Sequence, residues 1–358
     1  MNEVAIWGVG GIANTHAAAL KANGIPIALV VNHHVDTAKA FAEKWGIPKW
    51  SSDPSDLLET NISAVHVCTP PALHYEMVKF LLAHGKHVLC EKPLCTDLAQ
   101  ADELVALARE KDVRCAVNFN VRFHPACREA RARIKQAAFG DVRLIHGTYL
   151  QEFHALPAPY GWRYQESLGG TMRAVTEIGS HWLDLAEYIS GKKIVEVQAV
   201  FGNFQSRRVL KDGLMYEPQG DEAQTLRVSS EDSALLQFRL ENGAIGAVVL
   251  SEVSHGRTNH LTIEATGANR TLWWDSEYGT ALHDAEKGSG VHTTLYPFGA
   301  NGFNDTFAAL QANYYAALDM TRPFDQTGFP TLEDGRRMVR LCQAVQQSAQ
   351  SGGGWVTV

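Results

Sequence analysis

Lys92 stands in the stretch VLCEKPLCTD, residues 88–97, between a glutamate and a proline and directly after an apolar run. A strand-end core position gains nothing from an ammonium, so this lysine is read as a group that handles a proton or holds an anion. Catalytic groups in open α/β sheets gather at the carboxyl ends of strands, beside the bound ligand. A second constellation is Glu177-Ile178-Gly179-Ser180-His181-Trp182-Leu183-Asp184. Glu177, His181 and Asp184 stand at i, i+4 and i+7, which places all three on one face of an α-helix. An acid, an imidazole and a second acid in one row orient a histidine and set its proton affinity. A row with a single histidine is a weak metal site, and no metal is expected.

A third pattern, Gly8-Val9-Gly10-Gly11-Ile12-Ala13, fits G-x-G-x-x-A between a short apolar run and a helical stretch. Glycines permit a tight turn and close backbone approach, and amides at the helix start can then hold a pyrophosphate. Dinucleotide binding is therefore expected at Gly8–Ile12. The usual partner is an acid about 20 residues on, bonding the ribose hydroxyls. Here the second strand ends Val30-Val31-Asn32-His33-His34. Without a carboxylate at Asn32, a 2′-phosphate meets no repulsion, and the histidines could donate to it. That leans towards NADP. Asn32 could equally bond two hydroxyls of NAD, and His33 and His34 could be solvated loop residues.

These groups need elements to position them. Residues 3–123 alternate between short apolar runs and helical stretches. The runs Val4–Trp7, Ile27–Val31, Ala64–Cys68, His87–Cys90 and Arg114–Asn118 read as strands. Asn14–Asn23, Asp36–Trp45, His74–Ala83 and Ala99–Glu110 read as the helices between them, with a shorter one at Asp56–Leu58. Such alternation predicts a doubly wound parallel sheet. After about residue 140 the texture changes to longer strands joined by short turns: Val142–Leu150, Ile194–Gly202, Ser233–Leu240, Ala244–Ser251, His260–Ala265 and Thr271–Trp274. Asn242-Gly243 is a hairpin signal. A helix over Glu177–Ser190 precedes most of these strands, and helices over Asp305–Met320 and Leu332–Gln347 follow them. Ser351–Gly354 reads as a small flexible patch. The expected fold is α/β plus α+β: a Rossmann domain over 1–123, then a domain over 124–358 with a large, mostly antiparallel open sheet flanked by helices. The final helix packs back on the first domain.

Composition narrows the classes. The net charge of −7 argues against a nucleic-acid partner. No stretch approaches the roughly 20 apolar residues of a membrane span, so no membrane is expected. The six cysteines form no CxxC pair, which points to reduced thiols in the cytoplasm.

Together the stretches GVGGIANTHAAAL (8–20), CTPPALHYEMV (68–78), GKHVLCEKPL (85–94), NVRFHP (120–125), WRYQESLGGTMRAVTEIGSHWLDL (162–185) and LEDGRRMVRL (332–341) carry a resemblance. The chain resembles the Gfo/Idh/MocA family of NAD(P)-dependent oxidoreductases over nearly its whole length. The resemblance implies that Lys92 lies near the nicotinamide and the substrate hydroxyl, and that His181 is the helix acid/base. It implies that Glu91 faces the nicotinamide ribose and that Thr69, Pro70 and His74 run along the cofactor. Asn120 falls among the cofactor residues, Arg122 near the pocket, and Trp162 and Arg163 beside cofactor and substrate. The family usually has aspartate four residues before the histidine; here Glu177 is one methylene longer, and part of its role could pass to Asp184. Lys92-Pro93 is a candidate cis bond.

The implied reaction moves a hydride between a nicotinamide and a secondary alcohol of a sugar, inositol or related polyol. His181 takes the hydroxyl proton, Lys92 holds the oxygen, and Glu177 orients His181 or binds a neighbouring hydroxyl. Tyr149, Phe153, His154 and Trp162 are candidate sugar-ring contacts. An NAD-dependent glycosidase working by transient oxidation and elimination, and a nucleotide-sensing regulator without turnover, stay open beside it. A homodimer or homotetramer through the C-terminal sheet is expected.

Overall fold

Val4–Trp7 and Ala28–Val31 are buried, as strands covered on both faces must be. They belong to a parallel sheet of β1 (Glu3–Trp7), β2 (Ile27–Val31), β3 (Lys49–Ser51), β4 (Ile62–Val67), β5 (His87–Cys90) and β6 (Cys115–Val117). The computed structural model describes residues 3–220, 225–277, 280–296, 303–319 and 328–358. Strand order is β3-β2-β1-β4-β5-β6, so the topological switch point lies between β1 and β4. That is where an open α/β sheet binds its ligand. The helices are α1 (Gly11–Ala22), α2 (Val35–Trp45), α3 (Pro71–Ala83), α4 (Leu98–Glu110), α5 (Pro125–Ile134), α6 (Glu166–Gly169), α7 (Ser180–Ser190), α8 (Phe303–Leu318) and α9 (Leu332–Gln350). Local chemistry sets their starts. Asp97 caps α4 by accepting from the Gln100 amide at 3.1 Å, and α3 opens on Pro71, whose fixed φ suits a first helical position.

The chain divides into two units: Met1–Phe123 with Phe303–Val339, and His124–Gly302 with Arg340–Val358. Phe303–Val339, which chain order assigns to the second domain, thus belongs to the first unit. The reason is apolar packing. Leu310, Tyr314 and Ala317 of α8 join Leu89, Ala116 and Phe123 in one buried cluster. Thr331 forms an antiparallel bridge with Ala116 at the sheet edge. Met320, the expected end of α8, lies outside the described residues.

The second unit is built on a sheet of β7 (Leu144–Leu150), β9 (Ile194–Gly202), β13 (Ser233–Leu240), β14 (Ile245–Ser251), β15 (His260–Thr266), β16 (Arg270–Asp275), β17 (Ala281–Glu286), β18 (Gly290–Leu295) and β19 (Val356–Thr357). Its order is β18-β17-β16-β15-β7-β14-β13-β9-β19, antiparallel except for β7 and β14. A smaller sheet orders β12 (Leu226–Arg227), β10 (Arg207–Lys211), β11 (Leu214–Tyr216) and β8 (Ala158–Pro159). α7 lies on one face of the large sheet. Its Trp182, fully buried, donates Nε1–H to the Thr262 carbonyl at 2.9 Å and meets Phe238 edge-on.

Two expectations need correction. Glu177 is not in an α-helix: Val175–Gly179 is a π-helical turn that leads into α7. Gly179 lets that turn press onto β14, where a Cβ would sit 2.6 Å from Leu250 Cδ1. Ser351–Gly354 is not a loose patch. Gly353 donates to the Ser348 carbonyl at 2.8 Å, and the chain returns as β19 to pair with β9.

Candidate active site

In the first unit the glycine turn joins β1 to α1. Gly8 has φ +99, and a Cβ there would lie 2.8 Å from Thr69 Cγ2 and 2.9 Å from the Cys68 carbonyl oxygen. The turn is therefore seated against the residues that follow β4. Gly11 has open space where a Cβ would be. Gly10 caps α1 with no side-chain bond, and the first turn carries no acid. Those amides and that space fit a pyrophosphate. Gly8→Ala is expected to raise the Kd for NAD at least about tenfold, because backbone must shift to admit the methyl group. Isothermal titration against wild type checks this, and an unchanged Kd refutes it.

Asn32 follows β2 and donates Nδ2–H to Thr37 Oγ1 at 2.7 Å, while Thr37 Oγ1 donates to the His34 carbonyl at 2.7 Å. His33 and His34 are exposed. His74 is fully buried. Its ring nitrogens lie 2.8 Å from the carbonyl oxygens of Thr69 and Pro93, so it ties the turn after β4 to the turn after β5. Lys92-Pro93 is cis. Glu91 directly follows β5. Its Oε1 lies 2.8 Å from His16 Nε2 and accepts from Asn118 Nδ2 at 2.6 Å, and its Oε2 accepts the Lys92 amide at 3.2 Å. Lys92 itself is half-buried.

Two further expected residues have partners in the returning segment of this unit. Asn120 donates to Thr306 Oγ1 of α8 at 2.7 Å, and Arg122 pairs with Asp334 at 2.9 Å. Asp334 also accepts from the Thr331 amide at 2.8 Å, so Arg122 sits at the start of α9.

In the second unit Arg163 Nε donates to Glu177 Oε2 at 2.8 Å, and the Arg163 guanidinium lies 4.3 Å from the Trp162 ring centre. Trp162, Arg163 and Glu177 thus form one constellation. His181 and Asp184, further along α7, are both buried. Tyr149 donates to Asn259 Oδ1 at 2.9 Å. Burial, with the Glu177 and Glu252 charges, pushes its hydroxyl up. His154 meets the Tyr164 hydroxyl, and burial, then Arg173, lowers its ring to about 3. It is a neutral imidazole.

A cluster that sequence patterns do not reveal lies behind Glu177. Arg173 Nε donates to Glu252 at 2.8 Å; Arg173 and Arg208 both donate to Asp232 Oδ1; Glu231 accepts the Arg173 and Val175 amides. All five charged side chains are buried. Burial raises Glu252 to about 7, with Arg173 opposing and Glu177 adding to the shift. At pH 7 a proton on Glu252 leaves two guanidinium cations against the carboxylates of Asp232 and Glu231; burial raises Glu231 itself to about 6, so it adds its own slope to the pH dependence and Glu252→Gln removes only part of it. Because the folded protein holds the Glu252 proton and the unfolded chain, with an ordinary value of 4.5, releases it, the stability it contributes is present below pH 4.5 and lost as pH rises through about 7. The change is roughly 3 kcal/mol. Glu252→Gln should match wild type at pH 5 and exceed it at pH 8 in urea denaturation. An unaltered pH slope would refute this account.

A parallel sheet with a glycine turn at its switch point, and a lysine after β5 at the same end of the sheet, defines a dinucleotide-binding oxidoreductase. The model of the oxidoreductase family with NAD-binding Rossmann fold matches residues 2–119, and that of the GFO/IDH/MocA C-terminal domain matches residues 127–272. The chain belongs to the Gfo/Idh/MocA family of NAD-dependent oxidoreductases. It is 29% identical over 289 residues to levoglucosan dehydrogenase of Pseudarthrobacter phenanthrenivorans, covering 77% of this chain and 74% of that enzyme. It is 29% identical over 353 residues to myo-inositol 2-dehydrogenase of Thermotoga maritima, covering 97% and 96%. The solved structure of levoglucosan dehydrogenase in complex with NADH matches with a TM-score of 0.88 at 25% identity, over 100% of this chain and 99% of that one. Among the described residues no helix is long and apolar enough to cross a membrane.

Proposed function

We propose that this enzyme transfers a hydride between NAD and a secondary alcohol of a sugar, inositol or related polyol. The observation that carries the reading is Lys92, half-buried at the carboxyl end of β5, at the same end of the sheet as the glycine turn. The named sugar and inositol dehydrogenases among its relatives support the substrate class. NAD, when bound, supplies the hydride acceptor. Lys92 holds the alcohol oxygen, stabilises negative charge as it develops and shares the proton. His181 takes the hydroxyl proton as general base. Glu177, held by Arg163, receives a neighbouring hydroxyl. Asp184 is enclosed in the unit's interior, which leaves substrate contact to Glu177 and His181.

We infer NAD rather than NADP, against the lean drawn from Asn32-His33-His34. The Thr37 hydroxyl spends its hydrogen on the His34 carbonyl, so it accepts from Asn32 and fixes the amide with Nδ2 inward. Asn32 then offers Oδ1, an acceptor, which suits ribose hydroxyls and opposes a 2′-phosphate.

We propose a homo-oligomer through the large sheet. Val200, Leu235 and Val249 are neighbours across β9, β13 and β14 and are 59%, 57% and 41% exposed, an apolar stripe that a second copy could cover. Six buried free thiols fit a reducing cytoplasm.

The test is thermal shift with NAD, NADH, NADP and NADPH, followed by cofactor absorbance against a panel of sugars and inositols. A ligand that binds only the folded state raises its stability. Selective stabilisation by NAD and NADH, with turnover of at least one cyclic polyol, is the expected result. Cofactor binding with no turnover across the panel refutes the substrate class.

A further inference from the structure

A polar chain crosses the apolar interior of the first unit and ends on Glu91. From Glu91 Oε1 it passes to His16 Nε2 at 2.8 Å, from His16 Nδ1 to His66 Nδ1 at 2.7 Å, and from His66 Nε2 to the Tyr315 hydroxyl at 2.6 Å. Both imidazoles are fully buried. His16 comes from α1, His66 from β4 and Tyr315 from α8. Apolar side chains would fill these positions without the cost of dehydrating two imidazoles, a cost met only if every ring nitrogen is paired. Here all four ring nitrogens have a partner.

The hydrogens can be assigned. A nitrogen–nitrogen contact holds one hydrogen. Burial, with His16 adding to it, lowers His66 well below the ordinary histidine range, so His66 carries one N–H. Burial disfavours a Glu91 carboxylate, yet His16, the Lys92 charge and Asn118 together hold it below its ordinary value, so Glu91 is ionised and His16 Nε2 donates to it. Two arrangements satisfy these conditions. In the first, Tyr315 donates to His66 Nε2, His66 Nδ1–H donates to His16 Nδ1, and both rings are neutral. In the second, His66 carries its hydrogen on Nε2 and gives it to the Tyr315 oxygen, and His16 is an imidazolium against Glu91.

The second arrangement holds one proton more. They interconvert by hops along bonds already made. The Tyr315 proton moves to His66 Nε2, the His66 Nδ1 proton moves to His16 Nδ1, and water reprotonates the Tyr315 oxygen. Proton uptake itself turns no ring; after His16 Nε2 has passed its proton to Glu91, both rings return to their first tautomers before the next proton crosses in the same direction. Burial keeps the Tyr315 hydroxyl neutral, Asp319 adding to the effect, so it relays a proton without storing charge.

We propose that Tyr315, His66 and His16 form a proton relay through which Glu91 and Lys92 exchange the reaction's proton with solvent. This rests on the reading of Lys92 as a proton-sharing group. In reduction of a ketone, when Lys92 rather than His181 protonates the alkoxide, the His16 Nε2 proton passes by way of the Glu91 carboxylate to the amine, the His66 Nδ1 proton moves to His16 Nδ1, the Tyr315 proton moves to His66 Nε2, and one proton from water replaces it on Tyr315. In oxidation each hop reverses and one proton leaves. His16, His66 and Tyr315 touch neither substrate nor cofactor in this scheme; they act through Glu91.

Tyr315→Phe keeps the ring that lies parallel to His66 and removes only the relay's outer end. The expected result is an unchanged NAD Kd and KM with kcat lowered about tenfold, a larger solvent deuterium isotope effect, and recovery of rate as a small buffer such as imidazole is raised. Wild-type kcat and isotope effect in folded Tyr315→Phe overturn the relay, as does a loss that no buffer restores. Nitrogen-15 spectra of the unmodified protein decide the hydrogens without any turnover. His66 protonated on Nδ1 and His16 on Nε2 is expected, and His66 protonated on Nε2 beside a neutral His16 overturns the assignment. If wild type turns over no substrate, the functional reading fails while the spectra still judge the chain.

Discussion

Lys92→Met is expected to lower kcat by about a hundredfold or more, while the NAD Kd stays within a few-fold of wild type. Methionine matches the length and apolar body of the lysine stem, so a half-buried site accepts it without a cavity. What is lost is the ammonium that, on the proposed mechanism, stabilises the developing alkoxide. The proposed pyrophosphate site is the separate glycine turn after β1, and the Glu91 carboxylate keeps its bonds to His16 and Asn118. Steady-state absorbance assays on whichever polyol the wild type accepts, paired with titration calorimetry for NAD, separate the two effects. A variant that keeps most of its rate removes Lys92 from the chemistry. One that loses NAD binding in proportion makes it a cofactor ligand instead.

Asp232→Ala carries the largest expected loss of stability. Asp232 is fully buried. One oxygen receives Arg173 and Arg208; the other accepts the Phe204 and Gln205 amides at 2.7 and 3.0 Å. The Tyr164 ring also touches both guanidiniums, at 5.0 and 4.7 Å. Removing the carboxylate leaves two buried cations facing only Glu231 and Glu252. Breaking a buried pair by deleting one partner costs about 3–5 kcal/mol. The remaining imbalance should also ionise Glu252, whose proton served to balance the cluster, so the pH dependence of stability should flatten in the same variant. Urea denaturation at pH 5 and pH 8 reads both effects. A loss below about 1 kcal/mol would mean that water reaches the cluster and screens it.

How much of this was legible beforehand depends on the range of the interaction. Five of the six parallel strands were readable because each is a short apolar run between helical stretches; β3 was not, being three residues long with Lys49 and Trp50 exposed. Ile194–Gly202 and Ser233–Leu240 appear in the structure with the same bounds as in the sequence. The glycine turn was readable because its function depends on the backbone, which glycine exposes. β10–β12, β17 and β18 were missed because they are short or polar, and pairing rather than burial maintains them. The π turn at Glu177 was missed because an i, i+4 count assumes an α-helix, whereas the turn depends on contact with Leu250 of a strand far along the chain. Arg122 and Asn120 carry family-like motifs, but their partners, Asp334 and Thr306, lie in a returning segment that local patterns cannot place.

The sequence by itself determined the class of chemistry: a dinucleotide turn, a lysine after an apolar strand, and an acid and an imidazole four residues apart. These are local statements, because residue type and spacing over a few positions decide backbone shape and proton capacity. Tertiary structure alone decided which buried charges balance one another and which buried side chains join in a hydrogen-bonded chain. His16, His66 and Tyr315 are unremarkable in their own segments, and Arg173, Asp232 and Glu252 read as ordinary polar punctuation. Only when helix, strand and return helix pack within hydrogen-bond reach does each acquire a partner. Away from water, having or lacking that partner decides the charge it carries.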